Sequence, residues 1–198
     1  GIIGNGFVGS SVSFGFSPQT GCDGVDVKIY DKDESKATHT MSEVVNDSDV
    51  IFVSVPTPSN KDGSINLDIV YDVFNNIEES REDGSEPVLL LRSTVTPGTT
   101  RKLQTVFYNL RIVFNPEFLT ERSAKLDFIN QSRFVLGGNV VDTTIVAELY
   151  KWRFGQHIPV IKTNYETAEL IKYMNNTFFA TKVSFMNEMK LVSDKVGA

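Results

Sequence analysis

Only one cysteine, Cys22, occurs among the 198 residues. That excludes an intrachain disulfide and a cysteine metal framework, and it suits a reducing compartment, with the cytoplasm as the expectation. Histidine is almost as scarce: His39 and His157 stand far apart without ligand spacing to Asp, Glu or Cys, so no metal site is expected. Long apolar runs are also lacking. The longest, Val50–Val53 and Val88–Leu91, are strand-sized against the ~20 residues of a membrane helix, so no membrane partner is expected. Positive charge is the minority sign, with 19 Lys+Arg against 25 Asp+Glu and a net charge of −6. Basic residues cluster no more densely than the pair Arg101-Lys102, which argues against a nucleic-acid partner. Trp152 and the 14 Phe have no basic groove beside them, so they are expected in the core or in helix packing and not as a base-stacking platform. The opening at Gly1, with no Met and no charged leader, suggests that no signal peptide is present and that the start is clipped.

What is present is ordinary globular material, 40% hydrophobic and 22% charged, enough for one domain plus a small extension. Short apolar runs alternate with amphipathic stretches, the pattern of strands joined by crossover helices. Strands are expected at residues 1–3, 25–30, 50–55, 88–91, 111–114, 133–136 and 158–161. Helices are expected at 7–16, 42–46, 67–79, 99–107 and 141–154, in βαβ order throughout. From Tyr165 to about Asp194 an uninterrupted helical pattern without Gly or Pro follows. Its apolar residues, among them Leu170, Ile171, Met174, Phe178, Val183, Phe185, Met186 and Met189, spread around the circumference. Such a helix is expected to pack both on its own domain and on something else. The expected fold is therefore α/β: a Rossmann-type, doubly wound, mainly parallel sheet followed by a long C-terminal helix.

Chemistry gathers at the predicted strand ends. Gly4-Asn5-Gly6-Phe7-Val8-Gly9 is a GxGxxG between a strand and a helix, where a tight turn and a helix N-terminus receive a pyrophosphate. Asp31 follows Gly9 at the end of the second predicted strand, placed to accept a hydrogen bond from a ribose 2′-OH. Because an acid repels a 2′-phosphate, the expected cofactor is NAD in preference to NADP, an inference that the adjacent Lys32 weakens slightly. Ser54-Val55-Pro56-Thr57-Pro58 and Arg92-Ser93-Thr94-Val95-Thr96-Pro97-Gly98 leave the third and fourth predicted strands at the same rim. Asn115-Pro116-Glu117-Phe118-Leu119-Thr120-Glu121 leaves the fifth and sets two carboxylates four residues apart. Lys172 and Asn176, at i and i+4, share one helix face and can aim a cation and an amide at one oxygen. Taken alone, that last spacing is more often a solvated helix face.

The ordered set GNGFVG, VPTP, STVTPGT, NPEFLTE, SRFVLGG and ETAELIKYMNNTFFATKVSFMNE resembles the UDP-glucose/GDP-mannose dehydrogenase family over nearly the whole chain. Two units are expected on that basis, residues 1–162 as the NAD-binding domain and 163–198 as the start of a central dimerisation helix. The resemblance implies NAD-dependent oxidation of a nucleotide-sugar C6 alcohol to the uronic acid in two hydride transfers, and a homodimer formed through the helix. It implies cofactor contacts from Gly4 to Gly9, Asp31, Lys36, Val55 to Ser59 and Ser93 to Val95. Thr94 and Glu121 are implied beside the nicotinamide and a catalytic water, and Glu117 is implied in thioester hydrolysis. Glu117, Phe118 and Leu119 are implied as backbone contacts to the nucleotide sugar, and Lys172 and Asn176 as holders of the C6 oxygen. Arg133 resembles an arginine of the family's equivalent strand and serves equally well as an ion-pair partner. The family's nucleophilic cysteine is expected beyond Ala198. Cys22, in the Ser17–Gly24 connection, is an ordinary small residue, so turnover by these residues alone is left open. Two alternatives stand beside this reading: a β-hydroxyacid dehydrogenase, and a non-catalytic NAD-binding or oligomerisation module.

Overall fold

The computed structural model describes all 198 residues. Seven strands form one sheet in the order β2-β1-β3-β4-β5-β6-β7: β1 Ile2–Ile3, β2 Ile29–Tyr30, β3 Val50–Val53, β4 Val88–Leu91, β5 Arg111–Phe114, β6 Phe134–Gly137 and β7 Val160–Thr163. The helices are α1 Phe7–Gly15, α2 Met41–Asn46, α3 Asp68–Ser80, α4 Thr99–Val106, α5 Ala124–Ile129, α6 Val140–Phe154 and α7 Tyr165–Val196. One face of the sheet buries Ile2, Phe52, Leu90 and Val113 against Val12, Phe128, Val146 and Tyr150 of α1, α5 and α6. The other buries Ile3, Ile51, Leu89 and Ile112 against Val44, Phe74, Leu103 and Tyr165 of α2, α3, α4 and α7. This alternation along each strand makes the doubly wound sandwich, and its winding changes direction between β1 and β3.

Several expectations need correction. The run at 25–30 pairs only at Ile29–Tyr30, because its sole neighbour in the sheet, β1, is two residues long. Helix α5 is not among the expected helices: α2, equally short, is announced by the Thr40–Glu43 capping box, whereas α5 has no side-chain cap to mark its start. Trp152 is exposed, as are Phe7, Phe178, Phe179 and Phe185, so the aromatic residues are not all in the core. The βαβ order does not run throughout. β5 and β6 pair antiparallel, after which β6 and β7 are parallel to each other.

That reversal directs α7. Its start lies beside the interior of the fold, where the Tyr165 hydroxyl donates to the Ile112 carbonyl oxygen at 2.9 Å. It then runs antiparallel to α4, and Gly137 of β6 lets it approach so closely that an added Cβ would lie 2.6 Å from the Ala168 Cβ. Fully buried Glu169 seals the contact: it accepts from the backbone N–H of Gly98 at 2.6 Å and of Thr100 at 2.7 Å, and from the Thr100 hydroxyl at 2.6 Å. A carboxylate of α7 thereby caps the N-terminus of α4, which has no side-chain cap of its own. Burial on the domain ends near Tyr173, and Met174, Phe178, Val183, Phe185, Met186 and Met189 are exposed. No helix is long and apolar enough to cross a membrane.

Tyr150 sits fully buried in the α6 layer, stacked on Phe134 with ring centroids 3.8 Å apart. Burial pushes its hydroxyl up to about 12, against the opposing influence of nearby Arg92. The unfolded chain loses this proton near pH 10, before the folded one does, so the stabilisation is complete below pH 10 and disappears as pH rises to about 12. Urea melts across that window are expected to show a loss of about 2–3 kcal/mol from this group. Tyr150→Phe should flatten that part of the pH dependence; an unchanged profile would exclude Tyr150 as its source.

Candidate cofactor and substrate site

A cavity of about 780 Å³ opens at the C-terminal ends of β1, β3, β4 and β5, where the winding reverses. Its lining includes Gly4, Gly6, Phe7 and Val8 from the glycine loop, Asp31 and Lys36 beyond β2, and Val55, Pro56 and Thr57 after β3. Ser93, Thr94 and Glu117 complete it from the exits of β4 and β5. Asn5, Gly9, Pro58, Ser59, Val95, Phe118, Leu119, Glu121, Lys172 and Asn176, also expected at the site, do not line it.

The glycine loop is shaped by its residues. Gly4 has φ +89°, and an added Cβ would collide with the Ser54 carbonyl; a Cβ on Gly9 would collide with the Gly4 carbonyl oxygen. These two glycines let the turn fold back on itself. Gly6 differs, because an added Cβ would meet nothing within 4 Å. Protein packing therefore does not require glycine there, whereas a ligand lying against the backbone would. Gly6 is also the N-cap of α1, which has no side-chain cap and no acid in its first turn, leaving the helix end ready for an anion. Asp31 braces the loop, accepting from the backbone N–H of Asn5 at 2.6 Å and of Asp33 at 2.9 Å. Ser93 straps β4 to β3, accepting from the Val55 N–H at 3.0 Å and donating to the Val55 carbonyl oxygen at 2.7 Å. Lys36 contributes its carbonyl oxygen to the Asn5 side chain, while its ammonium pairs with Asp33.

At the far end, Lys172 of α7 meets the β5 exit. Its ammonium donates to the Glu117 carbonyl oxygen and, at 2.5 Å, to Glu117 Oε1, while the Leu119 N–H donates to Glu117 Oε2 at 2.7 Å. Both side chains are buried, at 5% and 10% exposure. Phe118 lies beside this pair, its ring centroid 5.8 Å from Lys172 Nζ and 5.6 Å from the Arg133 guanidinium. Arg133 is thus stacked on an aromatic ring and forms no ion pair. Thr94 and Glu117 line this end of the cleft and Lys172 meets it only through Glu117, whereas Asn176, one turn beyond Lys172, and Glu121 are exposed. Cys22 is buried away from the cleft, among the α1 and α6 residues, and burial pushes its thiol up. No group of three or more His, Cys, Asp or Glu gathers in metal-binding geometry.

Sequence reasoning overlooked Arg92 and Glu169. Both had a visible signal: Arg92 is a charge directly following the apolar strand Val88–Leu91, and Glu169 lies three residues before Lys172 on the same helix.

A doubly wound sheet, a glycine loop at its switch point and an acid at the end of β2 define a dinucleotide-binding domain. The family models identify which kind. The chain belongs to the UDP-glucose/GDP-mannose dehydrogenase family, matching its NAD-binding domain over residues 36–153 and its central domain over residues 166–198. NAD is accordingly the cofactor of this domain, and the open cradle at Gly6 fits it. An uncharacterized protein of Methanocaldococcus jannaschii is 42% identical over 80% of this chain and 18% of its own length. The UDP-glucose 6-dehydrogenase TuaD of Bacillus subtilis is 36% identical over 81% of this chain and 36% of its own. A solved UDP-glucose dehydrogenase from Pyrobaculum islandicum superimposes on 100% of this chain and 53% of that one, with a TM-score of 0.84 and 26% identity. The chain thus spans less than half the length of these curated relatives.

Proposed function

We propose that these 198 residues form the NAD half, and part of the sugar site, of a nucleotide-sugar 6-dehydrogenase that oxidises a UDP-glucose-type C6 alcohol to the uronic acid. The observation that carries this reading is the buried Lys172–Glu117 pair at the edge of the NAD cavity. When bound, NAD supplies the acceptor for the hydride that leaves the alcohol carbon. Two of the three ammonium protons of Lys172 are committed to Glu117, leaving one for the C6 oxygen, whose developing negative charge the cation favours. Asn176 would supply a second donor from the next turn once substrate orders it. Glu117 is fixed as an acceptor for a proton from water, and Thr94 holds that water with Glu121 drawn in from the loop. Residues 1–162 would then be the cofactor unit and 163–198 the beginning of the central unit. The exposed apolar side chains of α7 would be covered in a homodimer, and the cytoplasm is the compartment this chemistry suits.

Calorimetric titration with NAD, NADP and UDP-glucose beside an NADH-formation assay tests the proposal. NAD binding is expected, with turnover appearing in a longer chain that includes the cysteine segment; failure to bind NAD at millimolar concentration would overturn the site. Asp31→Ala is expected to weaken NAD by roughly tenfold to a hundredfold, the worth of a hydrogen bond to a charged group, and NADP by much less. Equal losses for both cofactors would assign Asp31 to bracing the loop alone.

A further inference from the structure

The wall of the NAD cavity contains a cation for which the reaction outlined above has no use. Arg92 directly follows β4 and is 2% exposed. Its Nη1 donates to Asn115 Oδ1 at 2.5 Å and lies 3.3 Å from the Tyr150 hydroxyl. Its guanidinium carbon is 6.0 Å from the centre of the Phe52 ring and 5.6 Å from that of Phe128. Every one of these partners is neutral, and no protein atom accepts from Nε or Nη2. The carboxylates of the cavity are engaged elsewhere: Asp31 with the glycine loop and Glu117 with Lys172, while Asp72 of α3 is exposed at the rim. Arg92 therefore places a positive charge with no counter-ion among two aromatic rings, an amide and a phenol, out of reach of the full screening of bulk water. Arg92 lines the cavity with Nε and Nη2 buried, so its charge reaches a ligand chiefly through its field.

We propose that Arg92 sets the relative affinity of the site for the two redox forms of the cofactor. The inference rests on the cofactor placement proposed above. With the pyrophosphate at α1 and the adenosine ribose at Asp31, the nicotinamide half lies across the switch point, over the exits of β3, β4 and β5. A positive charge beneath it disfavours the cationic ring of NAD and favours the neutral ring of NADH, biasing the site towards accepting hydride. The pyrophosphate is common to both forms and cancels in their ratio. A unit charge about 10 Å from the ring, at an effective dielectric of about 20, shifts that ratio by a factor on the order of ten.

The test measures dissociation constants for NAD by calorimetry and for NADH by nicotinamide fluorescence, on the unaltered chain and on Arg92→Met, Arg92→Lys and Asn115→Asp. In Arg92→Met the ratio Kd(NAD)/Kd(NADH) is expected to fall about tenfold, which makes the bound couple about 30 mV more negative. Arg92→Lys keeps the charge and is expected to stay within about threefold of the unaltered ratio. Asn115→Asp sets a carboxylate against Nη1 at the cost of the Asn115 Nδ2 hydrogen bond to the Val135 carbonyl oxygen, and in the folded variant it neutralises the field with Arg92 in place, so the ratio should fall likewise. Equal changes in both affinities, with the ratio unmoved in the folded variants, would overturn the role of Arg92 and leave it a scaffold residue. Absence of NAD binding by the unaltered chain would overturn the cofactor placement itself.

Discussion

Lys172→Met is expected to lower the stability of this chain by about 3–5 kcal/mol, because it strands the Glu117 carboxylate at a buried position with only the Leu119 N–H for company. For a protein of this size that corresponds to a melting temperature lower by roughly 10 °C. The same loss should not appear when both charges are removed. Adding Glu117→Gln to Lys172→Met is expected to recover most of the stability, since the double variant has no isolated charge left to bury. NAD affinity should change far less than stability, because Lys172 does not line the cavity. A Lys172→Met variant as stable as the unaltered chain would show that the ammonium is a surface group, and the proposed role at the C6 oxygen would lose its footing. The cost is a property of this pair's burial. The exposed pair of Lys190 and Asp194, on the same helix, would be worth little to the fold.

The second large effect separates two reasons for having glycine. Gly9→Ala forces a Cβ into the Gly4 carbonyl oxygen, where backbone opposes backbone and no flexible side chain can yield. It is expected to cost about 3 kcal/mol and to abolish NAD binding, since the turn must open to relieve the overlap. Gly6→Ala meets no protein atom, and its φ of −75° suits alanine, so stability should remain within about 0.5 kcal/mol. NAD affinity in Gly6→Ala should nonetheless fall on the order of a hundredfold, because the added methyl occupies the space that the pyrophosphate needs. Thermal melts with and without NAD distinguish the two variants. A Gly6→Ala chain that binds NAD normally would move the pyrophosphate away from this loop.

The cofactor half of the site was legible in the sequence because its parts are local. GNGFVG, Asp31 and the VPTP and STVTPGT exits each lie within a few residues of a strand end, and open parallel sheets collect strand ends at one edge. The family resemblance carried Glu117 and Lys172 in the same way, from motifs. Their mutual contact spans 55 residues and could not be read from spacing. Nor could the buried state of Arg92, since a charge after an apolar strand fits an exposed loop equally well until Phe52, Phe128, Asn115 and Tyr150 close around it. Glu121 and Asn176 show the opposite case: the motifs mark them, yet the fold leaves both exposed.

By itself the sequence determined the doubly wound class, the glycine cradle, the preference for NAD and the length of the final helix. Each of these follows from hydrophobic period, turn chemistry or a charge at a strand end, which act over a few residues. The direction of that helix was decided only by tertiary structure. The antiparallel pairing of β5 with β6 turns the last two strands over, so α7 runs back towards the cavity, capping α4 with Glu169 and bringing Lys172 to Glu117. A strand's orientation depends on which neighbour completes its hydrogen-bonded ladder, and no local pattern in a seven-stranded sheet specifies that choice.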